Sequence, residues 1–241
     1  MRIGKLLPVL VLLFLLSGSL YAGTVVVPAP FETTEGSSSQ FSSMTSAERT
    51  LQFVYDSTQL GGLTAGTMIS GMAFRLDSAF PAWPSGPRTW SSYNIQLSKS
   101  LNDPGALSST FANNIGADVV TVRSGSLTLS ALSFSAGGAP NDFGPVITFT
   151  TPYLYTGGDL LITIRHTGNG VDAGSVDAVT NTAGLYQGLG ASSFGATTAE
   201  PTLVSNVPVV QLTTVSVPEP STLLTLVAGM SLFGVLRSRR D

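Results

Sequence analysis

Met68-Ile69-Ser70-Gly71-Met72-Ala73-Phe74-Arg75-Leu76 places Met72, Phe74 and Leu76 on one side of an extended chain and Ala73 and Arg75 on the other. That alternation has the period of a half-buried strand, because successive side chains of an extended backbone point to opposite faces. Tyr93 to Ser98 repeats it, with Tyr93, Ile95 and Leu97 opposite Asn94, Gln96 and Ser98. Further strands are predicted over Thr24 to Val27, Leu51 to Tyr55, Val119 to Arg123, Leu127 to Leu132, Val146 to Thr150, Leu160 to Arg165 and Val209 to Thr213. Between them stand turn signals: Gly61-Gly62, Pro81 to Pro87, Asn102-Asp103-Pro104-Gly105, Gly137 to Asp142 and Gly157-Gly158-Asp159. Many short strands with no amphipathic crossover helix predict an all-β fold, an antiparallel β-sandwich or jelly roll. Glu32 to Ser46 reads as a loop or arm, and Asn169 to Thr198 as either a long loop or a weak hairpin.

The two ends of the chain read differently. Met1 to Lys5 is cationic, Leu6 to Leu16 is apolar apart from Pro8, and Ser17 to Ala22 is rich in small residues, the layout of a secretory signal peptide over 1–22. At the other end, Val217-Pro218-Glu219-Pro220 precedes an apolar run from Leu223 to Leu236 and the basic tail Arg237-Ser238-Arg239-Arg240-Asp241. The run is about fourteen residues, at or below the roughly twenty that a membrane-spanning helix needs. The arginines behind it predict a cytoplasmic C-terminus and an exported body. The expected organisation is therefore a signal peptide at 1–22, a β domain at 23–214 and a terminal signal with a single transmembrane helix at 215–241.

Composition narrows the function of the middle. The 241 residues carry 14 acids, 11 bases and a formal net charge of -3. Five bases lie in the two end segments, so the middle has twelve acids against six bases and no basic cluster. Nucleic-acid binding by phosphate neutralisation is not expected. There is no cysteine, which removes thiol nucleophiles and disulfides, so an exported domain of this size must rely on its core. His166 is the single histidine and falls on the apolar side of the Leu160 to Arg165 strand at its end, the place of a hydrogen-bonded structural residue. No G-x-S-x-G motif accompanies it. Asp142, Asp159, Asp172 and Asp177 sit in Gly- and Asn-rich loops where calcium ligands often occur, without a D-x-D-x-D-G array. Neither cofactor nor metal is expected, and an envelope hydrolase is the weakest of the readings. Trp83 and Trp90 share one Pro-rich loop, where they either stack a sugar ring or close one end of the sandwich.

The tail resembles the PEP-CTERM sorting signal of Gram-negative bacteria in all three of its parts: the Val217-Pro218-Glu219-Pro220 motif, the apolar run, and Arg237, Arg239 and Arg240. The resemblance implies an exosortase as processing partner, transient residence in the inner membrane through the C-terminal helix, and delivery to the cell surface or extracellular matrix. It also implies a link to exopolysaccharide or biofilm. The two prolines suit recognition as an extended segment, since neither can continue a helix. Arg49 to Tyr55, Ile69 to Leu76, Ile95 to Ser98 and Gly158 to Ile162 resemble a β-rich domain found in such proteins, which implies no catalytic residue. The chain is thus expected to be a non-enzymatic exported protein, with a carbohydrate-binding module that recognises exopolysaccharide through Trp83 and Trp90 as the alternative.

Overall fold

The computed structural model describes residues 22–203 and 206–216. The expected signal peptide, apart from Ala22, and the sorting motif, transmembrane helix and basic tail lie outside these residues, which reach only the first two positions, 215–216, of the expected terminal segment. Fourteen strands occur among the described residues: β1 (Ala22–Val27), β2 (Ser38–Gln40), β3 (Arg49–Tyr55), β4 (Thr67–Phe74), β5 (Arg88–Trp90), β6 (Tyr93–Lys99) and β7 (Val120–Arg123), then β8 (Leu127–Leu129), β9 (Ile147–Leu154), β10 (Leu160–His166), β11 (Val176–Val179), β12 (Tyr186–Ala191), β13 (Val207–Pro208) and β14 (Val210–Ser216). All nine strands read from the sequence are among them, with ends shifted by a few residues.

Two larger sheets carry the fold, in the orders β1-β14-β4-β9 and β12-β3-β10-β6-β7, beside the smaller β13-β11-β2 and β5-β8. The pairings follow one rule. β6 pairs with β7, β5 with β8, β4 with β9, β3 with β10 and β2 with β11, all antiparallel. This is a single long hairpin, nested strand within strand, whose tip is the segment 100–119. β10 then also pairs with β6, which rolls the hairpin up on itself as in a jelly roll.

The inward side chains of both large sheets join one core. Leu51, Phe53, Ile95, Leu97, Ile162 and Ile164 come from one sheet, and Met72, Phe74, Ile147 and Phe149 from the other. Each fully buried side chain of this kind contributes about 1.5–3 kcal/mol, which lets the domain fold without a crosslink. Outside the five-stranded sheet, the hairpin tip folds back over β3 and β10. Asn114 of the tip donates to Gln52 at 2.9 Å, and Gln52 donates in turn to the carbonyl of Phe111 and the hydroxyl of Thr163.

Two details differ from the sequence reading. Arg75 was expected on the solvent side of its strand, but its side chain is 1% exposed. The segment from Phe31 to Gly36 crosses over it. Arg75 donates to the carbonyls of Phe31, Glu32 and Thr34 and forms an ion pair with buried Asp177, while Phe143 lies against the guanidinium. The region Asn169 to Thr198 is neither a loop nor a hairpin. It supplies β11 to the three-stranded sheet and β12 to the five-stranded one, because β12 finds its partner in β3 and not in its neighbour.

Candidate functional site

Trp83 and Trp90, expected either to stack a sugar or to seal the sandwich, are 4% and 0% exposed. Their rings meet edge to face at 6.3 Å, Phe134 packs on Trp83, and Gly174 passes close against the Trp83 ring, where a side chain would collide. Neither indole offers a face to a ligand. The rings close the end of the sandwich, and the carbohydrate platform placed on them is withdrawn.

The order behind this closure lies in a turn that sequence reasoning passed over. The short 3₁₀ turn Ser42–Met44 and the Thr45 that follows it direct carbonyls at three clustered rings. His166 Nε2 donates to the Ser42 carbonyl at 2.8 Å, the Tyr93 hydroxyl to that of Ser43 at 3.0 Å, and Trp90 Nε1 to that of Thr45 at 3.2 Å. The Gly174 amide takes the remaining carbonyl, that of Met44. His166, Tyr93 and Trp90 thus each have a polar partner on the short stretch Ser42 to Thr45, as buried polar groups require.

His166 is held as the neutral Nε2–H tautomer, because its Nδ1 accepts from the Gly168 amide at 3.1 Å. Burial pulls its pKa down to about 4, with Arg49 adding to the effect against the Ser42 hydrogen bond. Both ring nitrogens are engaged, so the residue is a structural one, with no free lone pair to act as a base.

The loop carboxylates go to different tasks. Asp172 accepts from Trp83 Nε1 and takes Arg88 in two-pronged fashion at 2.7 and 2.6 Å, and the guanidinium holds its carboxyl below the usual range. Asp177 is buried, and burial pushes its carboxyl up to about 6 against the pull of Arg75. Asp159 accepts from the Ser57 amide, and Asp142 is exposed. Among the described residues no three of His, Cys, Asp or Glu are grouped so as to hold a metal ion. Arg88 and Asp172 stand 84 positions apart, and Arg75 and Asp177 stand 102 apart, so no local spacing could have announced either pair.

No protein-family model, curated protein or solved structure matches the chain. The functional reading therefore rests on the residues themselves. Val217, Pro218, Glu219 and Pro220 follow directly on β14, and Arg237, Arg239 and Arg240 lie further out, all beyond the described residues.

Proposed function

We propose that this chain is an exported, non-enzymatic surface or matrix protein whose β-sandwich is delivered by the 1–22 signal peptide and sorted by an exosortase reading Val217-Pro218-Glu219-Pro220. The observation that supports this most is the junction at the end of the domain. One compact unit spans Gly23–Val215, β14 ends at Ser216, and the Val217-Pro218-Glu219-Pro220 segment begins at the next residue with an apolar run and arginines behind it. An enzyme at the membrane face would meet the recognition segment immediately after the folded, cysteine-free cargo along the chain. The cargo's closed aromatic end and its neutral, doubly hydrogen-bonded histidine agree with a structural role.

Intact-mass analysis of the protein recovered from culture medium and from inner membranes tests the proposal. In cells with an active exosortase, the medium form lacks the residues beyond the Pro218–Pro220 region. A Pro218→Ala, Glu219→Ala variant accumulates uncut in the inner membrane. Recovery of the wild-type chain uncut in the inner membrane of such cells overturns the reading.

A further inference from the structure

None of the twelve acids and six bases in the middle of the chain falls in β1, β14, β4 or β9. The five-stranded sheet, by contrast, carries Arg49, Lys99, Arg123 and Arg165 on its strands. Met72, Ile147, Phe149, Val210 and Leu212 point into the core, so Gly71, Thr148, Thr150, Gln211 and Thr213 point outward. Thr148 stands opposite Gly71 and Leu154 opposite Met68, and Ser70 donates to the Thr213 carbonyl. Val146 and Leu154 are 49% and 46% exposed, and Val146 lies over Gly71. Thr24, Thr148 and Thr150 are exposed as well. The Phe31–Gly36 segment covers the Arg75 end of this sheet. The rest of its outer side is a face of hydroxyls, the Gln211 carboxamide and aliphatic side chains, without a charge.

A solvent-facing surface ordinarily carries charges of both signs. In a domain with a surplus of acids, an uncharged face is the one on which two copies approach without Coulomb repulsion. Its chemistry also suits a contact with itself. A hydroxyl or a carboxamide both donates and accepts, so it can meet its own copy across a two-fold axis, whereas a carboxylate or a guanidinium meets only a like charge there. Contact along an edge is disfavoured. The register of β4 and β9 shifts between Ile69 and Gly71, Pro152 stands in β9, and Thr150 turns its hydroxyl to the Val122 carbonyl of β7. A lipid surface fits less well, because the outward side of these strands carries no lysine, arginine or aromatic anchor. Four strands about 4.8 Å apart, each of about six residues, give a footprint of about 400 Å² per copy, against about 800 Å² in a standard interface. Such a contact is reversible and depends on concentration.

We propose that the outer face of the β1-β14-β4-β9 sheet docks on the same face of a second copy, the two sheets stacked about 10 Å apart around a two-fold axis as a reversible dimer. Thr213, Ser70 and Thr148 lie in the contact, with Val146 and Leu154 supplying apolar area. The contact does not depend on how the tail is processed.

The chain has no cysteine, so a single introduced thiol reports one position. Detergent-purified full chains carrying Thr213→Cys are treated with a bismaleimide of about 10 Å reach, the spacing of stacked sheets. Ser193→Cys, on the exposed loop bonded to Thr50 of the five-stranded sheet, is the control. Thr213→Cys yields a covalent dimer whose share rises with protein concentration and with salt, because salt screens the repulsion between acidic bodies. Ser193→Cys stays monomeric. Adding Thr148→Glu, an exposed substitution that brings like charges into the contact, cuts the dimer about tenfold or more at an unchanged melting temperature. Absence of a dimer from Thr213→Cys, an equal dimer from Ser193→Cys, or a dimer that survives Thr148→Glu overturns the proposal. A Thr213→Cys thiol shielded by detergent and left unreacted assigns the face to lipid, and overturns it too.

Discussion

Tyr93 lies flat against His166, the two rings 5.4 Å apart and 7° from parallel, with Trp90 set edge-on to both. A protonated imidazole in this stack would lose its Gly168 hydrogen bond and carry a buried charge. The folded pKa of about 4 lies below the ordinary value of 6.5, so as pH falls the unfolded chain takes up the proton first. His166 therefore contributes stability that is whole above pH 6.5 and declines towards pH 4, by about 3 kcal/mol in all. Asp177, whose carboxyl is raised from 3.8 to about 6, acts in the opposite sense over much of the same range. Urea denaturation of wild type against His166→Gln between pH 4 and 7 isolates the histidine: the stability difference between the two narrows as the pH falls.

Arg75→Met leaves Asp177 buried beside an apolar side chain. Breaking a buried pair in this way costs about 3–5 kcal/mol, while the double variant Arg75→Met, Asp177→Leu recovers much of the loss because no charge is stranded. The single variant also frees the Phe31–Gly36 segment, which loses three carbonyl partners at once. Limited proteolysis is expected to cut the single variant at Glu32 to Thr34 before the wild type is touched.

Trp90→Ala empties the centre of the ring cluster and removes one of the two donors to the Thr45 carbonyl, which keeps the Asn169 amide, for a loss of about 3–5 kcal/mol in chemical denaturation. Trp83→Phe costs less, since it keeps most of the ring volume and forfeits chiefly the bond to Asp172.

Gly168 adopts a φ of +75°, and a side chain there would run into the backbone of Ser46 and Ala47. Its amide also fixes the His166 tautomer. Gly168→Ala combines backbone strain with a steric clash and is expected to cost about 2 kcal/mol or more. A fall in melting temperature larger than that of an alanine at open Gly170 measures the clash, since both positions share a positive φ and only Gly168 is crowded.

How far the sequence discloses this fold depends on the range of each interaction. Alternation along Tyr93 to Ser98 is a property of adjacent residues, and the structure buries Tyr93, Ile95 and Leu97 as that pattern requires. The nesting of β3 with β10 joins Leu51 to Ile164 across more than a hundred positions, and nothing in either strand names the other. β11 was hidden because Val176 to Val179 is buried on both sides and so lacks alternation. The two tryptophans were legible as a pair, but their burial was decided by Gly174, Phe134 and the Ser42–Thr45 carbonyls, all remote in sequence.

The place of β14 between β1 and β4 has a temporal meaning. A chain threaded across a membrane from its N-terminus releases β1 first and β14 last, yet these two strands are hydrogen-bonded neighbours. On the proposed export route, the four-stranded sheet would stay open, with a vacant slot beside β1, until nearly the whole domain had crossed. On that route, completion of the fold would coincide with arrival of the tail, and the state of the last strand would report that the domain is whole.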